Sequence, residues 1–180
     1  MKKHTPEINY APLKNLLDLG VWKQADQETN YILRKASNCS SGDSPKSQEM
    51  ISHSQDVLRT IDYLWLEYSS GKFGLSVQSK LYREIIKDYY PEIKDYYLHL
   101  DLSTNDKHEL LQKSIASICQ WGDKVHWRDY GNWLSYSQIN FKDSACIGHL
   151  PTWSCTSFWR DGQCGWCSES FRLLLWRGIE

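Results

Sequence analysis

The stretch "LRTIDYLWLEYSSGKFGLSVQ", Leu58 to Gln78, sets one helical pattern directly against Gly71-Lys72-Phe73-Gly74 and then opens a second. Val57, Ile61, Leu64, Trp65 and Tyr68 recur at the three-and-four spacing of a single helix face, and the period stops at Ser69, Ser70 and Gly71. Val77, Leu81 and Ile85 then predict a helix over 76–86. Phe73 stands between two glycines in the hinge, where it reads as an exposed aromatic on a flexible connection.

Outward from this hinge the helical period dominates. Leu13, Leu16 and Leu17 predict a short helix over 12–19, with Gly20 where a left-handed C-terminal cap belongs. Trp22, Ala25, Thr29, Ile32, Leu33 and Ala36 predict a second helix over 23–36, packed on the first. Residues 37–54 are rich in Ser, Asn, Gly and Pro and read as a mobile loop. Downstream, Lys87-Asp88-Tyr89-Tyr90 recurs as Lys94-Asp95-Tyr96-Tyr97, so residues 87–107 read as an insertion. Thr104 to Asp106 followed by Glu109 signals a helix start, and Leu111, Ile115 and Ile118 share a face up to Trp121. No stretch alternates like a strand beside a hairpin turn. The fold class is therefore all-α: a compact multi-helix domain with long aromatic-rich loops, a tail at 1–9 and a single domain over 10–180.

A chain of 180 residues that is 41% hydrophobic can bury one sizeable core. With 21 Lys and Arg against 22 Asp and Glu, the formal charge of -1 gives no global attraction to nucleic acid or anionic membranes. Met1-Lys2-Lys3 is followed by no apolar h-region, and no run reaches membrane-spanning length, so the chain reads as soluble and not secreted. Its six cysteines then read as reduced thiols. Cys164-Gly165-Trp166-Cys167 is a CxxC that zinc or a redox pair would suit, with Cys146, Cys155 and His149 as the remaining candidate zinc ligands.

The C-terminal part differs in kind, because seven of the nine tryptophans lie at or after Trp121, interleaved with glycines. Aromatics on loops carried by a rigid scaffold make slots for a flat apolar ligand; the alternative is that they close the core over irregular backbone. Asp26, Glu28 and Asp62 read as caps or helix-packing hydrogen-bond partners. No nucleophile, base and orienting group stand out together, so no catalytic residue is assigned and the chain is not read as an enzyme.

Six ordered blocks carry a specific resemblance: Tyr10-Ala11-Pro12-Leu13, Gly20 to Thr29, Leu58 to Trp65, Tyr68 to Gln78, Trp133 to Ser137, and Gly148-His149-Leu150-Pro151. Over Tyr10 to Pro151 the chain resembles the "genomes uncoupled" tetrapyrrole-binding proteins, the porphyrin-binding regulators of magnesium chelatase. The resemblance implies an all-helical, cupped-hand domain that binds protoporphyrin IX, Mg-protoporphyrin IX or a linear bilin; non-covalent binding is expected from the sequence itself, because cysteine spacing shows neither thiolate character nor a held geometry for addition. It also implies a non-enzymatic role in chlorophyll biosynthesis, in the cytoplasm of cyanobacteria or the plastid stroma, with a magnesium chelatase subunit as partner. A monomer is expected.

The resemblance places Phe73, with Gly74, at the lip of the pocket. The expected walls are Val125, Trp127, Trp133, Tyr136, Phe141, Leu150 and Trp153, which would bury a broad ring face at about 25 cal/mol per Å². Lys124, Arg128 and Arg160 are the candidate rim cations for the two propionates. His126 and His149 are candidates to ligate a ring-bound metal, against a solvated or hydrogen-bonded histidine at each position. Where family members carry a Pro and a basic residue before the Gly-His-Leu-Pro block, this chain has Ala145, Cys146 and Ile147. Two other readings stand beside this one: a bilin or porphyrin sensor acting on another partner, and a zinc-stabilised interaction module built on the C-terminal cysteines.

Overall fold

Pro12 sits in the first turn of helix α1, Ala11–Asp18, where a missing amide hydrogen costs nothing. The computed structural model describes residues 7–36, 55–89, 104–152 and 175. Helix α1 ends in the expected left-handed cap: Gly20 has φ +65°, its N–H donates to Leu17 O at 3.0 Å, and Val21 N–H donates to Leu16 O at 2.9 Å. The turn delivers the chain straight into α2, Trp22–Ala36, which packs on α1 through Leu13 and Leu17.

Helix α3, Gln55–Tyr68, lays Val57, Leu58, Ile61, Leu64 and Trp65 into the same core. Trp65 stacks on Trp22 with ring centroids 5.8 Å apart, and its buried indole N–H donates to Thr29 Oγ1 at 2.9 Å. Phe73 completes this cluster. Its ring meets Trp22 edge-on at 5.3 Å and Trp65 at 6.3 Å, and the residue is 1% exposed. The lip position expected for Phe73 is thus corrected: the hinge points its aromatic inward, because two indoles offer the ring an apolar, edge-to-face seat that solvent cannot. Ser69 Oγ accepts the Phe73 N–H at 2.8 Å and holds the turn.

Gly74 explains the second glycine. It adopts φ +136°, and a Cβ there would lie 2.7 Å from Asp62 Oδ1. That carboxylate accepts the Ser76 N–H at 2.9 Å and caps α4, Leu75–Ile86, from the neighbouring helix. Burial raises the Asp62 carboxyl above its ordinary range, while hydrogen bonds from Ser76 and Leu75 work against that shift.

The buried face of α4 departs from the apolar pattern. Leu75, Gln78, Ser79, Tyr82 and Ile86 are buried, whereas Val77, Leu81 and Ile85 are half-buried. The polar members have tertiary partners: Gln78 Nε2 donates to Gly148 O and Pro151 O, both at 2.9 Å, Gln78 O accepts Trp121 Nε1–H at 3.1 Å, and Ser79 Oγ donates to Leu175 O. Helix α5, Thr104–Lys124, packs on α4. It presents Leu110, Ser114, Ser117, Ile118 and Trp121, with Leu111 and Ile115 half-buried. Tyr82 and Ser117 share a hydrogen bond at 3.2 Å across that seam.

One short hairpin was not expected from the sequence. Strands β1, Arg128–Asp129, and β2, Asn132–Trp133, pair antiparallel with Arg128 opposite Trp133. Tyr130 and Gly131 carry φ of 45° and 80° between them, the signature of a two-residue hairpin turn. Otherwise the described residues form helices and loops. The loop expected at 37–54 lies outside the described residues, as does 90–103 of the expected insertion. Residues 87–89 form a 3-10 turn continuing α4, and residues 104–107 are the first turn of α5.

Candidate ligand-binding segment

Residues 125–152 contain little regular structure, so their backbone polar groups need other partners. Three sets of bonds supply them. Trp127 Nε1–H donates to His149 O at 2.7 Å, His149 Nδ1 donates to Val125 O at 2.6 Å, and His149 Nε2 accepts the Asn140 N–H at 3.1 Å. That pairing fixes a neutral imidazole with its proton on Nδ1, and burial lowers its pKa from the ordinary value. Both ring nitrogens are engaged. His149, expected as a possible ring-metal or zinc ligand, instead ties three parts of the segment together.

The second set joins the segment to the opening hinge. Gly148 N–H donates to Lys72 O at 2.9 Å and Gly74 N–H donates to Leu150 O at 3.0 Å. The Gly-Lys-Phe-Gly and Gly-His-Leu-Pro blocks are therefore two sides of one backbone junction. Lys72 Nζ also donates to Asp143 O, and Trp22 Nε1–H donates to Asp143 Oδ1 at 2.6 Å.

The third set centres on Asp26, which is fully buried on α2. Its Oδ1 accepts the Thr152 N–H at 2.6 Å; Oδ2 accepts the Thr152 hydroxyl at 2.8 Å and the Tyr136 hydroxyl at 3.0 Å. Burial pushes its pKa up to about 6 against those three hydrogen bonds, and burial, helped by the adjoining Asp26 carboxylate, raises the Tyr136 phenol above its ordinary value. Asp26 is a packing group, one of the roles read for it in the sequence.

With the backbone so fixed, the side chains divide. Trp133, Leu134, Tyr136 and Phe141 are half-buried along 133–141, and the Tyr136 and Phe141 rings meet at 5.2 Å. Val125, Trp127 and Leu150, expected as walls, are fully buried in the core, and Trp127 meets Trp121 edge-on at 4.8 Å. A side chain with no exposed surface has no face to offer a ligand in this conformation, so of the expected wall residues that are described, Trp133, Tyr136 and Phe141 keep open surface. His126 is exposed, with φ 56°. Lys124 pairs with Glu84 at 3.2 Å, and Arg128 binds Asp123. Trp153, Arg160, Cys155, Cys164 and Cys167 lie outside the described residues; among those described, no three His, Cys, Asp or Glu side chains cluster to hold a metal. Two neighbours of these aromatics were not singled out in the sequence: Leu134, half-buried beside Trp133, and Lys23, whose ammonium lies 6.0 Å from the Phe141 ring centroid. Their only signal was helical phase on α2 and adjacency to Trp133.

Trp133 lies against Gly122 of α5. A Cβ at Gly122 would fall 2.6 Å from both Cζ3 and Cη2 of the indole. Gly122→Ala is therefore expected to force the ring off its seat, changing the near-ultraviolet circular dichroism while far-ultraviolet helicity stays within a few per cent; an unchanged aromatic spectrum would contradict this packing.

The model of the family described as GUN4-like matches residues 3–163. The chain belongs to the GUN4-like family. A curated relative, the chloroplastic tetrapyrrole-binding protein of Arabidopsis thaliana, is 34% identical over a stretch covering 43% of this GUN4-like chain and 30% of the relative's own length. The chain thus matches well under half of that protein. Among solved structures, ligand-free GUN4 of Arabidopsis thaliana superposes with a TM-score of 0.55 at 23% identity, covering 81% of this chain and 84% of that one. GUN4 from Chlamydomonas reinhardtii superposes with a TM-score of 0.56 at 19% identity, covering 97% and 89%. These superpositions establish the shared fold. No described helix of this chain is long and apolar enough to cross a membrane.

Proposed function

We propose that this GUN4-like domain binds a tetrapyrrole non-covalently and acts as a non-enzymatic regulator of magnesium insertion into protoporphyrin IX, with a magnesium chelatase subunit as its partner. The observation that carries this reading is the family match across residues 3–163. The half-buried aromatic run 133–141 supports it, because Trp133, Tyr136 and Phe141 are held by the scaffold yet keep exposed surface for a flat ring. Protoporphyrin IX and Mg-protoporphyrin IX are the preferred ligands, and Lys23 beside Phe141 is a candidate for one propionate. A plastid or a cyanobacterial cell is the setting that chlorophyll chemistry requires, and the curated relative is itself chloroplastic.

Titration with deuteroporphyrin, its magnesium form and a linear bilin, followed by tryptophan quenching, tests the proposal. Saturable quenching by the two porphyrins is expected. No binding of either at micromolar concentration would overturn it, and preference for the bilin would favour a sensor role. Trp133→Ala is expected to weaken porphyrin binding by about 1–3 kcal/mol, the usual effect of truncating an aromatic anchor, with thermal stability nearly unchanged. Attachment is expected to be reversible. Burial raises the Cys146 thiol pKa, and its Sγ faces Lys124 O at 3.8 Å, so it has little thiolate character for addition to a bilin. A pigmented band surviving a denaturing gel, and lost in a Cys→Ser variant, would refute that.

A further inference from the structure

We propose that Arg128 is a positioning residue that holds the Trp133 ring in place, and not a receptor for ligand carboxylates; this rests on the tetrapyrrole reading above. The sequence offered Arg128 as a rim cation, but its guanidinium is already committed. Nη1 donates to Asp123 Oδ1 at 3.1 Å, Asp123 Oδ2 at 2.9 Å and Cys119 O at 3.1 Å, and Nη2 donates to Gly131 O at 2.7 Å. The side chain is 13% exposed.

A carboxylate docks on an arginine in one of two forks. The fork through Nη1 is taken by Asp123. The fork through Nε is closed, because Nε is buried out of reach of a ligand and its second member, Nη2, already donates to Gly131 O. The charge is also compensated locally, by a carboxylate at 2.9 Å.

What the guanidinium does face is an indole. Its carbon lies 5.4 Å from the Trp133 ring centroid, within cation–π range, and Arg128 and Trp133 are directly paired in the β1–β2 register. The bonds to Cys119 O and Asp123 tie the hairpin to α5, and the bond to Gly131 O ties its turn. Gly122, on the same helix, lets the indole approach its backbone. Arg128 thus links α5, the turn and the ring, so that Trp133 meets a ligand already ordered and less freedom is lost on binding. A lysine would keep the charge but lose the planar stack and the multiple fixed donors.

The test uses deuteroporphyrin as the diacid and as its dimethyl ester, which lacks carboxylates. Arg128→Lys is expected to weaken both about equally, by about five- to tenfold, the loss of a cation–π contact with its supporting bonds. In a Trp133→Ala background the same change is expected to add almost nothing. Loss confined to the diacid, or losses that simply add, would overturn the proposal. Asp123→Asn, which removes the charge pair but leaves the stack, is expected to act in the same direction more weakly, and it decides the matter if Arg128→Lys fails to fold. With 5-fluorotryptophan, the Trp133 signal, assigned by Trp133→Phe, is expected to shift or broaden in Arg128→Lys without ligand; an unchanged signal would also overturn the proposal. Were neither probe bound by the unsubstituted chain, the tetrapyrrole reading would fall, and the fluorine signal would still decide whether Arg128 positions the ring.

Discussion

Phe73→Ala is expected to lower the free energy of unfolding by about 3–5 kcal/mol, the cost of removing a large ring from a closed core. The ring is 1% exposed and touches both Trp22 and Trp65, so its removal leaves a void between two indoles that the hinge cannot collapse to fill. The hinge is pinned on either side by Ser69 Oγ at the Phe73 N–H and by Leu150 O at the Gly74 N–H. Chemical denaturation measures the effect, with Trp65→Ala as a companion of similar size. A Phe73→Ala domain within about 1 kcal/mol of the parent would place the ring at the surface instead. Ligand binding in this variant should fall only as far as the fold does, whereas Trp133→Ala should lose affinity while remaining folded.

Asp26→Asn is expected to change how stability depends on pH. The buried carboxyl has its pKa raised from the ordinary 3.8 to about 6, so the folded state holds the proton more tightly than the unfolded state. The resulting contribution is fully present below about pH 4 and is lost as pH rises through 6, at a cost of about 3 kcal/mol by pH 8. Asparagine mimics the protonated form: its carbonyl can accept the Thr152 N–H, and its amide can donate to the two hydroxyls, which rotate to accept. Asp26→Asn is therefore expected to match the parent near pH 4 and to exceed it by about 3 kcal/mol near pH 8. His149 acts in the opposite sense, since its lowered pKa favours the fold above about pH 6.5 and weakens it below; present in both proteins, it cancels in their difference. Parallel stability curves across this range would refute the assignment.

Much of the scaffold was legible. The Gly20 cap, the face of α2 and the face of α3 follow from local rules, because apolar periodicity and a left-handed glycine act within a few residues. The buried faces of α4 and α5 were misread by about one position. Gln78, Ser79 and Ser117 count as polar in any pattern, yet they are buried with partners on other elements: Gly148 O and Pro151 O for Gln78, Leu175 O for Ser79 and the Tyr82 hydroxyl for Ser117. The hairpin at 128–133 was missed because two residues per strand are too few to alternate.

The sequence by itself determined an all-helical scaffold and a family, since six ordered blocks and the helical period are properties of the chain read in order. Only the tertiary structure decided which aromatics remain open. Phe73, Trp127 and Trp133 are alike in composition and in glycine-rich context, but Phe73 fills a space between two tryptophans, Trp127 bonds His149 O beneath the segment, and Trp133 rests half-exposed on Gly122. The same holds for charge: Arg128 looks like a free rim cation until Asp123, Cys119 O and Gly131 O are seen to occupy its donors. The physical reason is that exposure and donor occupancy are fixed by contacts in three dimensions, some between residues far apart in sequence, as at Trp127 and His149, and some across a turn, as at Arg128, and no periodicity of residue type encodes where those partners will lie.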